Sequence, residues 1–123
     1  MKFYSIIVLI ALSFSACQEE VSKDKMAILT GDWRGIVWTV NDAPSSKTAR
    51  SVILRFSPDG QYLGDLGSDP ERGHFTVIEN KLKFTKTDET KFITVIERLD
   101  RDTLVLNLSH RGNPEQITFI RRY

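Results

Sequence analysis

From Trp33 to the end of the chain, apolar and polar residues alternate in short runs that are separated by turn residues. The clearest run is Lys81-Leu82-Lys83-Phe84-Thr85-Lys86, in which Leu82 and Phe84 share one face and Lys81 and Lys83 the other. Alternation with a period of two predicts strands with one buried face. The predicted strands cover residues 33–40, 51–57, 61–66, 73–78, 81–86, 91–99, 103–108 and 116–123.

The spacing of these eight strands, roughly ten residues, indicates an all-β sandwich or barrel. Turns such as Pro58-Asp59-Gly60 are short and join consecutive runs, which favours an antiparallel up-and-down order. Eight such strands can close into a barrel and remove their exposed edges. Met26, Ile28 and Leu29 offer an apolar face, which predicts a short N-terminal helical turn over residues 24–29. The run Phe92-Ile93-Thr94-Val95-Ile96 is apolar on both faces, so its inward parity stays open.

The first residues have the pattern of a secretory leader. Lys2 precedes the apolar run Ile6-Ile7-Val8-Leu9-Ile10-Ala11-Leu12, and Ala16 precedes Cys17, the one cysteine of the chain. The run is shorter than the roughly 20 residues that a spanning helix needs. Ala16-Cys17 resembles the lipobox of bacterial lipoproteins, although Phe14 stands where leucine is usual. The resemblance implies acylation of Cys17; the alternative is an ordinary signal cut that leaves a free thiol.

This interpretation divides the chain into a lipoprotein signal peptide (1–16), a polar tether (17–27) and a barrel domain (28–123). It implies a lipid anchor in the outer membrane or at the cell surface of a Gram-negative bacterium. Gln18-Glu19-Glu20 resembles the acidic surface-export signals of some lipoproteins. Whether the domain faces the periplasm or the exterior stays open.

The order of several motifs resembles compact bacterial lipocalin-like domains over residues 28–123. Gly31-Asp32-Trp33 opens the first strand as the lipocalin signature does, and Phe56-Ser57-Pro58-Asp59-Gly60-Gln61-Tyr62 and Gly73-His74-Phe75-Thr76-Val77 follow. The resemblance implies that Arg121 packs over Trp33 and closes the barrel base, a contact worth about 0.5–2 kcal/mol. The alternative is that Arg121 is an exposed terminal residue beside Arg122.

An eight-stranded barrel holds either packed side chains or one small ligand. The candidate ligand-lining residues are bulky and apolar or aromatic: Trp38, Leu54, Phe56, Tyr62, Phe75, Phe92, Leu106 and Phe119. The same side chains also fit a filled core, so both interiors remain open.

The sequence offers no arrangement typical of catalysis. His74 and His110 lack the spacing of metal ligands, no Gly-x-Ser-x-Gly elbow is present, and no cofactor motif appears. A calcium site among Asp59, Asp65, Asp69 and Glu71 is the alternative to simple turn chemistry for these carboxylates. With 17 basic and 16 acidic residues, the chain gives no reason to expect nucleic acid as a partner.

Two functions follow from these observations, and neither is an enzyme. The first is a membrane-anchored, lipocalin-like binding module for a small apolar ligand. The second is a closed barrel that serves as a structural or protein-interaction module and contacts an envelope protein. They differ in the volume of the barrel interior, which the sequence does not determine.

Overall fold

The computed structural model describes residues 20–45, 48–66, 70–110 and 112–123, and strands make up most of them. One short helix comes first, and a short 3-10 helix at Ala49–Ser51 precedes the third strand. The elements are α1 (Lys23–Leu29), β1 (Gly31–Val40), β2 (Ala43–Pro44), β3 (Val52–Phe56), β4 (Gln61–Leu66), β5 (Glu71–Ile78), β6 (Lys81–Lys86), β7 (Lys91–Leu99), β8 (Thr103–His110) and β9 (Asn113–Arg122).

The strands form a closed barrel. From β3 to β9 each strand pairs antiparallel with the next, and β1 pairs with both β3 and β9. The two residues of β2 only extend the end of β1 as a small hairpin. Closure therefore involves eight strands, and the predicted all-β, up-and-down barrel with a short N-terminal helix is confirmed.

The two ends of the barrel differ. Because neighbouring strands are antiparallel, β1, β4, β6 and β8 all begin at the end where α1 lies, which we call the closed end. The opposite end, called the open end, includes the 87–90 turn and the beginnings of β5, β7 and β9. The core between them contains aromatic and aliphatic side chains from every barrel strand.

The N-terminal segment contacts the barrel wall at the closed end. Strand β4 pairs with β5 only as far as His74, which leaves the far half of β5 without a β4 partner. Val21 forms a bridge with Ile78, and the Ser22 amide donates to the Val77 carbonyl at 2.7 Å. Residues 21–27, which the sequence assigned to a tether, thus include a bridge and most of α1. Residues 1–19, with the predicted signal peptide and Cys17, lie outside the described residues.

The structure resolves the parity of β7. Thr94 and Ile96 are buried inside the barrel, whereas Ile93 and Val95 face outward with 57% and 37% of their surface exposed. The Thr94 hydroxyl donates to the Leu82 carbonyl at 3.4 Å. A polar residue thus takes an interior position because the neighbouring strand supplies an acceptor.

Several strands are longer than their sequence pattern indicated. β1 begins at Gly31, β5 at Glu71 and β9 at Asn113, since backbone pairing continues past the alternating residues. Asn41 and Asp42 have positive φ values of 54° and 63°. They reverse the chain in a tight turn that pairs β1 with β2, within a segment that the sequence suggested was a loop.

Candidate functional site

The closed end is built around Trp33. Its side chain is completely buried, and its indole Nε1 donates to the Leu29 carbonyl at 2.8 Å. Leu29 ends α1 and is itself fully buried, and the Thr30 amide then donates to the Met26 and Ala27 carbonyls. The indole therefore fixes the end of the helix against the start of β1.

The guanidinium of Arg121 lies over the ring of the indole. The register of β1 and β9 pairs Trp33 with Arg121, and the guanidinium carbon lies 4.3 Å from the ring centroid. A cation this close to an indole face is attracted by the ring quadrupole. The predicted contact at the barrel base is thus present in the structure.

The guanidinium of Arg121 also donates to three backbone carbonyls. Its nitrogens bind the carbonyl oxygens of Arg101 at 2.6 Å, Thr30 at 2.7 Å and Ile28 at 2.5 Å. Gly31 leaves room for this approach, because a Cβ there would lie 2.5 Å from the Arg121 Nη1. One side chain therefore joins the helix, the start of β1, the turn after β7 and the last strand.

A small cavity lies inside the barrel toward the open end. Its volume is about 90 Å³. Apolar side chains from five strands form most of its wall: Val52, Leu54, Phe84, Phe92, Leu106, Leu108, Ile117 and Phe119. The cavity is thus a residual space in a well-filled core, not a wide calyx.

The polar groups at the cavity wall are Tyr62, Glu71 and Thr94. The Thr94 hydroxyl has its bond to Leu82, and the Glu71 carboxylate lies 3.6 Å from the Lys86 ammonium. The Tyr62 hydroxyl is buried and, among the described residues, has no hydrogen-bond partner. The Glu71 carboxylate is nonetheless close enough to act on this hydroxyl, both through its charge and as a hydrogen-bond acceptor.

The surroundings of Tyr62 keep its hydroxyl protonated. Burial disfavours the phenolate, and the nearby negative charge of Glu71 disfavours it further; together they raise the pKa of Tyr62 from 10.0 to about 12. The hydroxyl therefore remains a hydrogen-bond donor throughout the neutral pH range.

We expect this tyrosine to make the barrel sensitive to alkali. The unfolded chain releases the Tyr62 proton near pH 10 and the folded barrel only near pH 12, so ionisation favours unfolding as the pH rises between these values. Over this window the free energy of unfolding of the parent chain should fall by about 2 kcal/mol more than that of the Tyr62→Phe variant. Urea unfolding at pH 9 to 12 measures it. Tyr123→Phe is the control, and an equal loss in Tyr62→Phe contradicts the prediction.

The structure places five of the eight predicted ligand-lining residues at the cavity and the other three elsewhere. Leu54, Tyr62, Phe92, Leu106 and Phe119 line the cavity. Phe56 and Phe75 lie instead in the core nearer the closed end, where their ring centroids are 4.7 Å apart.

Trp38 is the third predicted residue that does not line the cavity. It is half-buried near the open end, and its indole Nε1 donates to the Glu115 carboxylate at 3.0 Å. Glu115 itself is only 7% exposed. The inward positions of Glu115, Glu71 and Thr94 were not predicted, because their polar character gave no signal of them; Glu71 had been considered only as a calcium or turn carboxylate.

Of the carboxylates considered for calcium, Asp59 lies in a turn, whereas Asp65 lies on β4 and Glu71 begins β5. The Ser57 hydroxyl donates to Asp59 at 2.5 Å, and this bond is the main cause of a lowered Asp59 pKa. Among the described residues, no group of three or more His, Cys, Asp or Glu side chains could hold a metal ion. Asp69 lies outside those residues.

A closed, up-and-down barrel of eight antiparallel strands, with one short helix at its base, defines a lipocalin-like fold. No protein-family model and no curated protein matches the sequence of this chain. Solved structures do match its fold. A lipocalin-like protein from Bacteroides uniformis superposes with a TM-score of 0.59 at 16% identity, over 78% of this chain and 99% of its own.

Two other solved structures have the same arrangement. An uncharacterized protein from Bacteroides eggerthii gives a TM-score of 0.60 at 13% identity, covering 76% of this chain and 99% of its own. A variant of LTBP1 in complex with leukotriene C4 gives 0.51 at 11% identity, covering 82% and 70%. At these identities the likeness concerns the fold alone.

Proposed function

We propose that this protein is a non-enzymatic binding module that takes a small apolar ligand into the open end of its barrel. The observation that carries the proposal is the enclosed, almost wholly apolar cavity inside the barrel. The leukotriene C4 complex of a similar barrel supports the proposal, since it places a small ligand on a protein of this fold.

The cavity size limits what the barrel takes without rearrangement. Ligand pockets usually measure about 300–1,000 Å³, and a buried cavity of about 150 Å³ holds benzene. The 90 Å³ here suits a smaller molecule or one slender segment of a larger one. Phe92 is half-buried at the wall and stacks on Phe84 with 4.7 Å between the ring centroids. A rotation of Phe92 is the simplest way to enlarge the space.

Cyclopentane, which is about as large as benzene and therefore requires the enlargement that a rotation of Phe92 provides, tests the proposal as an apolar probe. The full chain is used with Cys17→Ser, which removes the thiol that would be acylated. Because a ligand that binds only the folded state raises stability, cyclopentane should increase the melting temperature in a concentration-dependent way. Calorimetric scans of this chain in sealed cells measure the shift.

Two variants give matched controls for the probe. Leu106→Phe adds bulk inside the cavity and should abolish the shift, whereas Ile93→Phe adds similar bulk on the outer face and should preserve it. If Leu106→Phe does not fold, Gly64→Ala adds one methyl group at the cavity wall and should reduce the shift. No shift in the parent chain, or equal shifts in all variants, would contradict binding in the cavity.

We further propose that the protein is held in the outer membrane or at the cell surface of a Gram-negative bacterium by acyl chains on Cys17. The leader and the Ala16-Cys17 pair support this. Among the described residues, no helix has the length and apolar character needed to cross a membrane.

The anchor has a direct test. Cys17→Ser should abolish incorporation of labelled palmitate, because serine lacks the thiol that would be acylated. Without acyl chains, of which stable anchoring needs more than one, the protein should move from the membrane to the soluble fraction. Fractionation and labelling of cells that express each chain measure this. Ser22→Ala, a matched change beyond the lipobox, should leave both results as in the parent. A Cys17→Ser chain that stays in the membrane fraction contradicts the anchor.

The second candidate function is a closed interaction module. Ile93 and Val95 on the outer face of β7 are 57% and 37% exposed and lie beside Lys83 and Lys81 on β6. Such a face suits contact with an acidic envelope protein. Ile93→Ser would then weaken that contact without changing the cyclopentane result, so the two functions are separable.

A further inference from the structure

The closed end of the barrel carries exposed apolar side chains on its outer surface. Ile28 on α1 is 41% exposed, and Val21, shortly before the helix, is 43% exposed. Tyr123, which follows β9, is 95% exposed. The core beneath them is already filled by Leu29 and Trp33, which are fully buried. Val21, Ile28 and Tyr123 therefore form an outer apolar surface, called the base surface below.

An open groove crosses the base surface between Ile28 and Tyr123. The Tyr123 hydroxyl donates to the Asp102 carboxylate, so the exposed ring is held at the edge of the groove. The groove combines apolar, aromatic and cationic side chains and is lined by six residues: Ala27, Ile28, Thr30, Arg101, Arg121 and Tyr123.

The charges beside the groove leave Arg101 available to an anion. Its guanidinium forms no ion pair within the part of the chain that the structure describes. The neighbouring acidic side chains already have partners, since Asp102 accepts from Tyr123. The Asp100 carboxylate lies 2.9 Å from the Arg98 Nε. Arg101 is close enough to Tyr123 to act on it through its charge, so a cation lies next to the exposed ring.

The N-terminal chain reaches the barrel at this same surface. Val21 is held by its bridge to Ile78, and the Ser22 amide donates to the Val77 carbonyl. Cys17 precedes Val21 by only four residues, which are too few to keep the base surface far from a bilayer that holds acyl chains on Cys17. The lipid leaflet is therefore the partner that this surface would meet first.

We infer that the base surface docks on the membrane, with Ile28 and Tyr123 in the head-group layer and Arg101 on a lipid phosphate. The inference rests on the proposed anchor at Cys17 and deepens it, because it adds a contact of the folded domain to the acyl chains. A tyrosine suits this position, since an apolar ring with a polar tip favours the membrane–water interface. A basic side chain near an anionic leaflet is attracted to it as well.

Spin labels test the contact on the acylated protein in vesicles of phosphatidylethanolamine and phosphatidylglycerol. Cys17 is the one cysteine of the chain, so after its acylation an introduced cysteine is the one free thiol. Ile28→Cys and Tyr123→Cys place labels on the base surface. Exposed controls are Lys91→Cys at the open end and Ile93→Cys on the outer wall. Power saturation measures collisions with a water-soluble nickel chelate, and the reference is the same label on the unanchored Cys17→Ser chain in water.

Anchoring should lower the collision rate several-fold at positions 28 and 123 and leave it nearly unchanged at positions 91 and 93. With the label at position 123, Ile28→Ser should restore much of the collision rate, because it removes an apolar contact with the leaflet. Ile93→Ser makes the same change at an exposed isoleucine of the outer wall and should have no effect.

Three results would overturn the inference. Collision rates at positions 28 and 123 that fall no more than at positions 91 and 93 would do so, while palmitate incorporation would still support the anchor. Protection of positions 28 and 123 in the unanchored chain would mean that a second copy covers the base surface. If the parent chain incorporates no palmitate, the anchor and this inference fall together, whereas the binding of cyclopentane inside the barrel is judged by its own experiment.

Discussion

Trp33→Ala should lower the free energy of unfolding by about 3–5 kcal/mol, the range for large aromatic truncations in a core. Trp33 is fully buried, contacts the Arg121 guanidinium and donates to the last residue of α1. Its loss removes core contacts and also loosens the helix and the barrel closure. Urea unfolding measures the change. Trp38→Ala is the control, because this half-buried tryptophan should cost less.

The partnership of Trp33 with Arg121 is tested by a double-mutant cycle. Arg121→Ala should cost about 2–3 kcal/mol, since it leaves three carbonyls without their donor. The double variant should cost less than the two single changes together, because each one already destroys the shared contact. Strict additivity would mean that the two side chains do not interact in solution, contrary to the 4.3 Å geometry.

Gly73→Ala should destabilise the barrel by about 3 kcal/mol or more, the upper range for forced overpacking. A Cβ at residue 73 would lie 1.9 Å from the Thr85 carbonyl oxygen and 2.9 Å from the Lys86 Cα. These are backbone atoms of the paired strand β6, so relief requires that β5 and β6 separate. Thermal and urea unfolding of the variant measure the loss.

Gly64→Ala is the matched control on the neighbouring strand. Its Cβ would approach the Leu54 Cδ2 at 3.3 Å, and a flexible side-chain end can shift. The expected cost is below about 1 kcal/mol, because alanine also restricts the unfolded chain more than glycine does. If both glycine variants were equally stable, β5 and β6 would not approach as closely as the structure has them.

Much of the fold was predictable because one face of most strands is buried. Leu82 and Phe84 alternate with polar residues on β6, and Val52, Leu54 and Phe56 alternate with Ile53 and Arg55 on β3, which defines strand type and inward parity together. The Trp33–Arg121 contact was predictable from the family resemblance, because closure brings the first and last strands together.

The cavity was not predictable in the same way. Two of the three polar residues at its wall are Glu71 and Thr94, and Glu71 lay in a segment that the sequence suggested was a turn. The inward position of Thr94 depends on the Leu82 carbonyl of the paired strand. The volume left between large side chains depends on rotamers and on strand register, neither of which a periodic pattern specifies.

The bridge between Val21 and Ile78 has a consequence for orientation. It fixes where the chain leaves the barrel, at the end that Trp33 and Arg121 seal. Cys17 precedes Val21 by four residues, which reach at most about 14 Å even when fully extended. With Cys17 acylated as proposed, the sealed base would lie next to the bilayer and the mouth would point into the aqueous compartment. A ligand would then arrive from water and not by lateral transfer from the lipid leaflet.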